Sequence, residues 1–244
     1  MIVSHAYRFI FLRTRKTAGT SLDIALSKFA GPIDIVTPVG PAPHDERLRA
    51  QLGFRTAQHY HKAIREWTPG DLGETLRVAG KKLTRGSTRS LRPMAFHNHM
   101  SAAEVRERLP ADVWNSYYKF AVERNPWDFA VSLYCWKLRR RRTMSFADYV
   151  RRGYPEKYAG HHIYCIDGQL AVNRLIRFED LRQGLGEVAR RVGLPENPWD
   201  VMQDLQAKRG HRDHSGYRAF YDDRSRHVIR QGFAPVISQL GYRF

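Results

Sequence analysis

Twice in this chain an apolar, alternating run stops at a knot of basic and small polar residues, and a helix-periodic run begins at once. The first case is "FIFLRTRKTAGTSLDIAL", residues 9–26; the second is "YYKFAVERNPWDFAVSLYCWKLRRRR", residues 117–142. A chain with this repeated strand–loop–helix grammar is steered towards a parallel sheet with helices packed on both faces, an α/β fold. The alternation predicts a strand over Arg8–Thr14, and Leu22, Ala25, Leu26 and Phe29 predict a helix over Ser21–Phe29. In the second case the strand is expected at Tyr118–Val122. Asn125 is then the N-cap, Pro126 the first helical residue, and the helix runs on towards Arg142.

Later elements fit the same pattern. A strand is expected over Arg174–Phe178, a helix from Glu179 to Val192, and one closing amphipathic helix over Asp222–Leu240. Residues 31–93 break it: four prolines near the start and "GKKLTRGSTRS" near the end predict short helices in an insertion-like region. Neither an internal repeat nor a linker divides the 244 residues, so one domain over 1–244 is expected.

Charge narrows the partners without naming one. The 41 Lys and Arg against 24 Asp and Glu give +17, a surplus that favours nucleic acid, anionic glycans, acidic lipid headgroups or phosphorylated cofactors. A solvated basic surface is the plain alternative. Cys135 and Cys165 make neither a disulfide framework nor a metal-ligand pair and read as small buried hydrophobes. No run reaches the roughly 18 apolar residues of a membrane span, and the first strand starts too early for a signal peptide. The expectation is a soluble, unanchored, cytoplasmic protein, bacterial rather than Golgi-resident.

Chemistry concentrates at the two junctions. A helix N-terminus offers N–H groups without acceptors and the positive end of the macrodipole, a natural seat for an anion. Gly19 lets backbone approach closely, Thr17, Thr20 and Ser21 add hydroxyls, and Lys16 adds a point charge. The usual nucleotide loop is G-x-x-x-x-G-K-[ST]. Here the lysine precedes the glycine and no leading glycine is present. Between the junctions, "FHNHMSAAEVRERL" holds His97 and His99 just before a capping box, Ser101 and Glu104. An extended segment there points both imidazoles to one side. A His-x-His pair can also hold a metal, although no acidic or cysteine partner stands nearby in sequence.

"RKTAGTSL" (Arg15–Leu22) resembles the 5′-phosphosulfate loop of sulfotransferases that use 3′-phosphoadenosine 5′-phosphosulfate (PAPS). "FAVERNPWDFAVSLY" (Phe120–Tyr134) is similar to the 3′-phosphate strand and helix of those enzymes. The likeness is to the carbohydrate-type branch, with heparan and chondroitin sulfotransferases and bacterial relatives. "HMSAAEVRERL", "RFEDL" (Arg177–Leu181) and "LGYRF" (Leu240–Phe244) extend it towards the C-terminus, sparing mainly 31–93. The resemblance implies a single P-loop-like, three-layer α/β domain.

It also implies roles. Lys16 faces the bridging oxygen of the departing phosphate. Arg15, Thr17, Ala18, Gly19, Thr20 and Ser21 hold the 5′-phosphate, and Arg124 and Ser132 the 3′-phosphate. His99 is the base, assisted by His97. "KRGHRDHSGYR" (Lys208–Arg218) stands where relatives often close a basic loop over the nucleotide, which makes Lys208, Arg209 and Tyr217 further contacts; a solvated basic loop is the competing view. The five tryptophans are expected to pack the core, and Trp127, close behind Arg124, could also border the nucleotide. His59 and His61 fall where helical periodicity is plausible, and they read as surface or acceptor-binding. Arg139–Arg142 either complements a helix dipole or forms an acceptor platform with Arg151 and Arg152. No metal and no nucleic acid are called for, and the acceptor is carbohydrate-like. A nucleotide kinase or NTPase and a non-enzymatic polyanion binder remain the alternatives.

Overall fold

A computed structural model describes residues 1–40, 43–85, 91–137, 144–205 and 216–244. The strands are β1 (Ile2–Ser4), β2 (Phe9–Leu12), β3 (Ile35–Val36), β4 (Tyr118–Glu123), β5 (Cys165–Ile166), β6 (Gln169–Leu170) and β7 (Arg174–Arg177). The α-helices are α1 (Gly19–Ser27), α2 (Pro43–Gln51), α3 (Pro69–Arg85), α4 (Ala102–Arg108), α5 (Ala111–Ser116) and α6 (Pro126–Lys137). They continue as α7 (Phe146–Arg151), α8 (His161–Tyr164), α9 (Leu181–Val192), α10 (Pro198–Asp204), α11 (Asp223–Gly232) and α12 (Ala234–Leu240).

The main sheet has the order β3-β1-β2-β4-β7. β2, β4 and β7 are parallel, whereas β1 runs antiparallel to both β2 and β3. Four of the five strands therefore point one way, and the sheet is mainly rather than wholly parallel. The period of two along each strand sorts the core. Phe9, Phe11, Phe120, Val122 and Ile176 face one side, where Leu22, Ile24 and Leu26 of α1 and Leu181, Leu185 and Val188 of α9 cover them. Ile10, Leu12 and Ala121 face the other, under Ala102 and Val105 of α4 and Ile163 and Tyr164 of α8. Contact is close enough to require a glycine: a Cβ on Gly184 of α9 would lie 2.3 Å from Ile176 Cγ2. A third cluster packs α6, α7, α11 and α12 on one another around Trp127, Phe129, Tyr149 and Phe233.

Several expectations need correction. β1 was not foreseen, because three residues show too little alternation to register as a strand. Residues 31–93 are not one insertion of short helices. β3 lies on the sheet edge and Arg49 is buried, while α3 spans 17 residues. The closing helix is two: Gly232 and Pro235 flank a break at Phe233. Gly232 faces Glu156, whose Cγ would lie 2.8 Å from an added Cβ. His59 and His61 are not helical, since His61 bridges antiparallel to Met94 and the His59 ring meets the Pro32 carbonyl at 2.9 Å. The reach of α6 beyond Lys137 falls outside the described residues, as do Arg139–Arg142, Lys208 and Arg209.

Candidate functional site

Because β2 and β4 are parallel and adjacent, their two following loops emerge side by side at the same sheet edge, the usual ligand position in open α/β sheets. Thr14 Oγ1 donates to the Val122 carbonyl and tethers one loop to the other strand.

At the first junction Lys16 and Ala18 both take positive φ, 62° and 55°, with Thr17 between them outside that region. This alternation turns successive backbone N–H groups into a concavity suited to an anion. Helix α1 starts from Ala18, which offers no side-chain cap, and its first turn holds no acid. Neither a capping side chain nor a first-turn carboxylate therefore stands at its N-terminus. Two expected roles change. The Thr17 side chain is buried, with its hydroxyl 2.9 Å from that of Thr14, so it braces the loop; only its backbone can face a ligand. Gly19 is small because of Arg13, whose Nε would stand 2.7 Å from an added Cβ. The buried Arg13 side chain donates to Asp23 Oδ2 at 2.6 Å, to the Val39 carbonyl at 2.5 Å and to Thr20 Oγ1 at 3.0 Å. It welds loop, helix and sheet edge from beneath.

The second junction is built differently. Asn125 Oδ1 accepts from the Trp127 N–H at 3.0 Å, so the expected cap is present. Arg124 lies along the groove between the two loops. It donates to Asp128 Oδ2 at 2.8 Å, to Ser132 Oγ at 3.2 Å and to the Lys16 carbonyl at 3.0 Å, and it stacks over Phe178. Lys16, Arg124 and Ser132, 116 residues apart at the extremes by number, are thus brought into one constellation. The Lys16 ammonium sits 5.6 Å above the ring of Trp136, the half-exposed tryptophan of α6.

Below Arg124 lies a group the sequence did not single out. Glu123 is buried, accepts from the Arg124 N–H at 2.8 Å and the Tyr164 hydroxyl at 2.9 Å, and is pushed up to about 7 mainly by burial. Tyr242 donates to the Glu123 carbonyl at 3.1 Å and to Glu179 Oε2 at 2.9 Å; Glu179 Oε1 accepts from the Asn125 N–H. The "RFEDL" and "LGYRF" segments therefore meet, and together they clamp the second junction.

The histidines are not on an alternating strand. His99 has φ 67°, and this turn breaks the expected pairing of the two rings. Nδ1 of His99 donates to the Arg13 carbonyl at 2.9 Å, which leaves Nε2 as the atom with a lone pair. Burial, with Arg13 and Arg15 nearby, pushes its pKa down to about 3, so the ring is neutral. His97 makes a local contact, Nδ1 to the Asn98 carbonyl at 3.0 Å. Arg15 turns away from α1: its guanidinium lies 5.8 Å over the Tyr158 ring, and burial lowers its pKa. Lys137 donates to the Tyr158 hydroxyl, and that bond is the main reason the phenol titrates below its ordinary range. His162, lowered by burial and then by Arg15, completes this flank. Sequence could not offer Tyr158, Lys137 or His162, since none sits in a motif.

Packing places several of the remaining side chains. Trp127 is core: it is buried, and its indole N–H donates to the Arg226 carbonyl at 3.1 Å. Tyr217 packs edge-on against Phe244 at 5.7 Å, within the α6–α11 cluster. Trp136 is exposed rather than core, and Cys135 is half-buried whereas Cys165 is buried. Ser21 is half-buried at the head of α1.

A cavity of about 500 Å³ opens beside the β7–α9 turn, lined among others by Phe178, Glu179, Asn197 and Trp199. It meets the constellation only through Phe178 and Glu179, not over Lys16. Among the described residues no cluster of His, Cys, Asp and Glu could hold a metal, and no helix is long and apolar enough to cross a membrane. Compared with family models, curated proteins and solved structures, the chain matches none.

Proposed function

We propose that this chain is a PAPS-dependent sulfotransferase that moves a sulfuryl group to a hydroxyl of a carbohydrate-like acceptor. One observation carries the reading: the Arg124 guanidinium lies 3.0 Å from the Lys16 carbonyl, so two anion-directed junctions stand within reach of one doubly phosphorylated adenosine. The likeness of both junction sequences to that family points the same way. So does the sheet, whose C-terminal edge carries both loops in the manner of a P-loop-like fold.

The residues fit such a donor. The concavity at Lys16–Ala18 and the first-turn N–H groups of α1 suit a 5′-phosphate. Arg124 presents a guanidinium already aligned by Asp128, with Ser132 beside it, for the 3′-phosphate. When bound, PAPS supplies an activated sulfuryl group whose bond to the 5′-phosphate breaks as the acceptor oxygen bonds to sulfur. Lys16 neutralises the charge that gathers on the departing phosphate oxygen. His99 Nε2 is the candidate acceptor for the hydroxyl proton, its tautomer fixed by the Arg13 carbonyl. The role requires that the negative charge of the bound donor offset the Arg13 and Arg15 charges that, with burial, hold its pKa at about 3. His97 orients. Arg15, Lys137, Tyr158 and His162 form the polar flank on which an acceptor hydroxyl is positioned.

The test is a thermal-shift comparison of adenosine 3′,5′-bisphosphate with adenosine monophosphate and with ATP plus magnesium. Selective stabilisation by the bisphosphate, on the order of 3 kcal/mol at a hundredfold excess over Kd, is expected. Equal or larger stabilisation by ATP overturns the reading in favour of a nucleotide kinase or NTPase.

A further inference from the structure

The chain leaves the body at Lys62 and returns at Pro93. The two ends are pinned by hydrogen bonds from the Lys62 N–H to the Pro93 carbonyl, 2.9 Å, and from the Ala95 N–H to the Tyr60 carbonyl, 2.8 Å. Between Ala63 and Gly80 only Val78 is buried. The excursion is dominated by α3, and α3 is oddly made for a solvated helix. Leu72 and Leu76, one turn apart on one face, are 52% and 74% exposed, and Ile64 just ahead of the helix is 78% exposed. The spacing continues the same face through Ala79. Gly73 and Gly80 weaken the helix, and a Cβ on either would meet only open space. Such a helix gains little from its own propensity and needs an apolar surface against which to rest.

Charge selects the surface. From Arg77 to Arg92 the sequence carries six Lys and Arg and no acid. Upstream, Asp71 is paired with Lys62 at 2.8 Å and Glu74 with Arg77 at 2.7 Å. A second copy of this +17 chain would set two such basic segments against each other. A purely polar polyanion would leave the leucines in water. An anionic bilayer accepts both features: leucines at the acyl boundary, Lys and Arg among the headgroups. We infer that α3 docks this protein on an anionic lipid surface, lying on the membrane rather than crossing it. The inference does not depend on the nucleotide reading.

The experiment is co-sedimentation of the full chain with phosphatidylcholine vesicles, with and without about one-third phosphatidylglycerol. Binding to the anionic vesicles alone is expected, weakening as salt rises. Leu72→Glu/Leu76→Glu should reduce it at least about tenfold. Both positions are exposed, so circular dichroism should match the parent. Should that pair misfold, Lys81→Gln/Lys82→Gln supplies the same loss through charge. Absence of binding, binding that neither pair alters, or light scattering that shows a dimer dissolved by the leucine pair would each overturn the inference.

Discussion

The two strand-to-helix junctions look alike in sequence and solve their chemistry in opposite ways. After β2 the cradle is backbone: two non-glycine residues in the left-handed region, an uncapped α1, no acid in its first turn. After β4 the helix is conventionally capped by Asn125, and the charge is a side chain. Arg124 is held by Asp128, Ser132, the Lys16 carbonyl and the Phe178 ring. The first junction has no capping side chain and no first-turn acid, whereas the second carries both a cap and a hydrogen-bonded guanidinium. Local strain at the first and a preformed network at the second would suit the proposed division of labour, charge change during reaction at one and steady grip at the other.

Paired substitutions break that comparison most directly. Lys16→Ala should lower turnover by about 10²–10³-fold, as loss of a donor to developing charge does elsewhere, while affinity for adenosine 3′,5′-bisphosphate changes little. Arg124→Ala should instead weaken the bisphosphate by about 2–3 kcal/mol, since it removes a charge-assisted contact and leaves Asp128 without its partner. Calorimetry for binding and single-turnover rates with PAPS measure the two effects. If both variants fall equally in both quantities, the division of labour between the junctions is wrong.

The pattern of legibility follows the same physics. Short apolar runs at Phe9–Leu12 and Tyr118–Glu123, and the Ser101 and Asn125 caps, made the central strands and their helices readable, because these are local rules. β1 and β3 were not readable: strands of three and two residues exist only through their neighbours. The motifs named Lys16, Arg124 and Ser132, and the fold brings these three together. The site was misread where packing decides. Gly19 yields to Arg13, Thr17 turns inward to Thr14, and His99 leaves the extended path. Glu123, Tyr158 and His162 carry no spacing signal, and only the fold brings them to the two loops.

Glu123 gives the next largest effect and a pH signature of the second junction. Its native pKa is pushed up to about 7 from an ordinary 4.5, mainly by burial. Between those values the folded protein holds a proton that the unfolded chain has lost, so stability falls as pH rises through the window and levels off above it. The span corresponds to about 3 kcal/mol. Glu123→Gln should remove most of that slope and be the more stable form at pH 8, with melting followed at pH 5 and pH 8. The readout is the difference between parent and Glu123→Gln, because His99, with its pKa lowered to about 3, gains stability over an overlapping window. A difference that stays constant from pH 5 to pH 8 would show that Glu123 is ionised throughout, stabilised by the Arg124 N–H and Tyr164.

The smallest expected effect probes the first junction's strain directly. Ala18 is exposed, with φ 55° and ψ 23°, so a substitution there meets backbone preference rather than a packed neighbour. An L-residue in this region costs about 1–2 kcal/mol, and glycine adopts it freely but loses roughly 0.5–1 kcal/mol more chain entropy on folding. Ala18→Gly should therefore be slightly stabilising, by up to about 1 kcal/mol, with bisphosphate affinity retained because the N–H remains. Ala18→Val should move stability the other way, since a β-branched side chain is a true outlier at positive φ. Opposite signs at one exposed position mark a loop held against its own preference, and they separate this junction from the relaxed one at Asn125, where the cap already agrees with the backbone. Equal melting temperatures for the two variants would mean that the left-handed turn at Ala18 is not maintained in solution, and the anion cradle would lose its geometry with it.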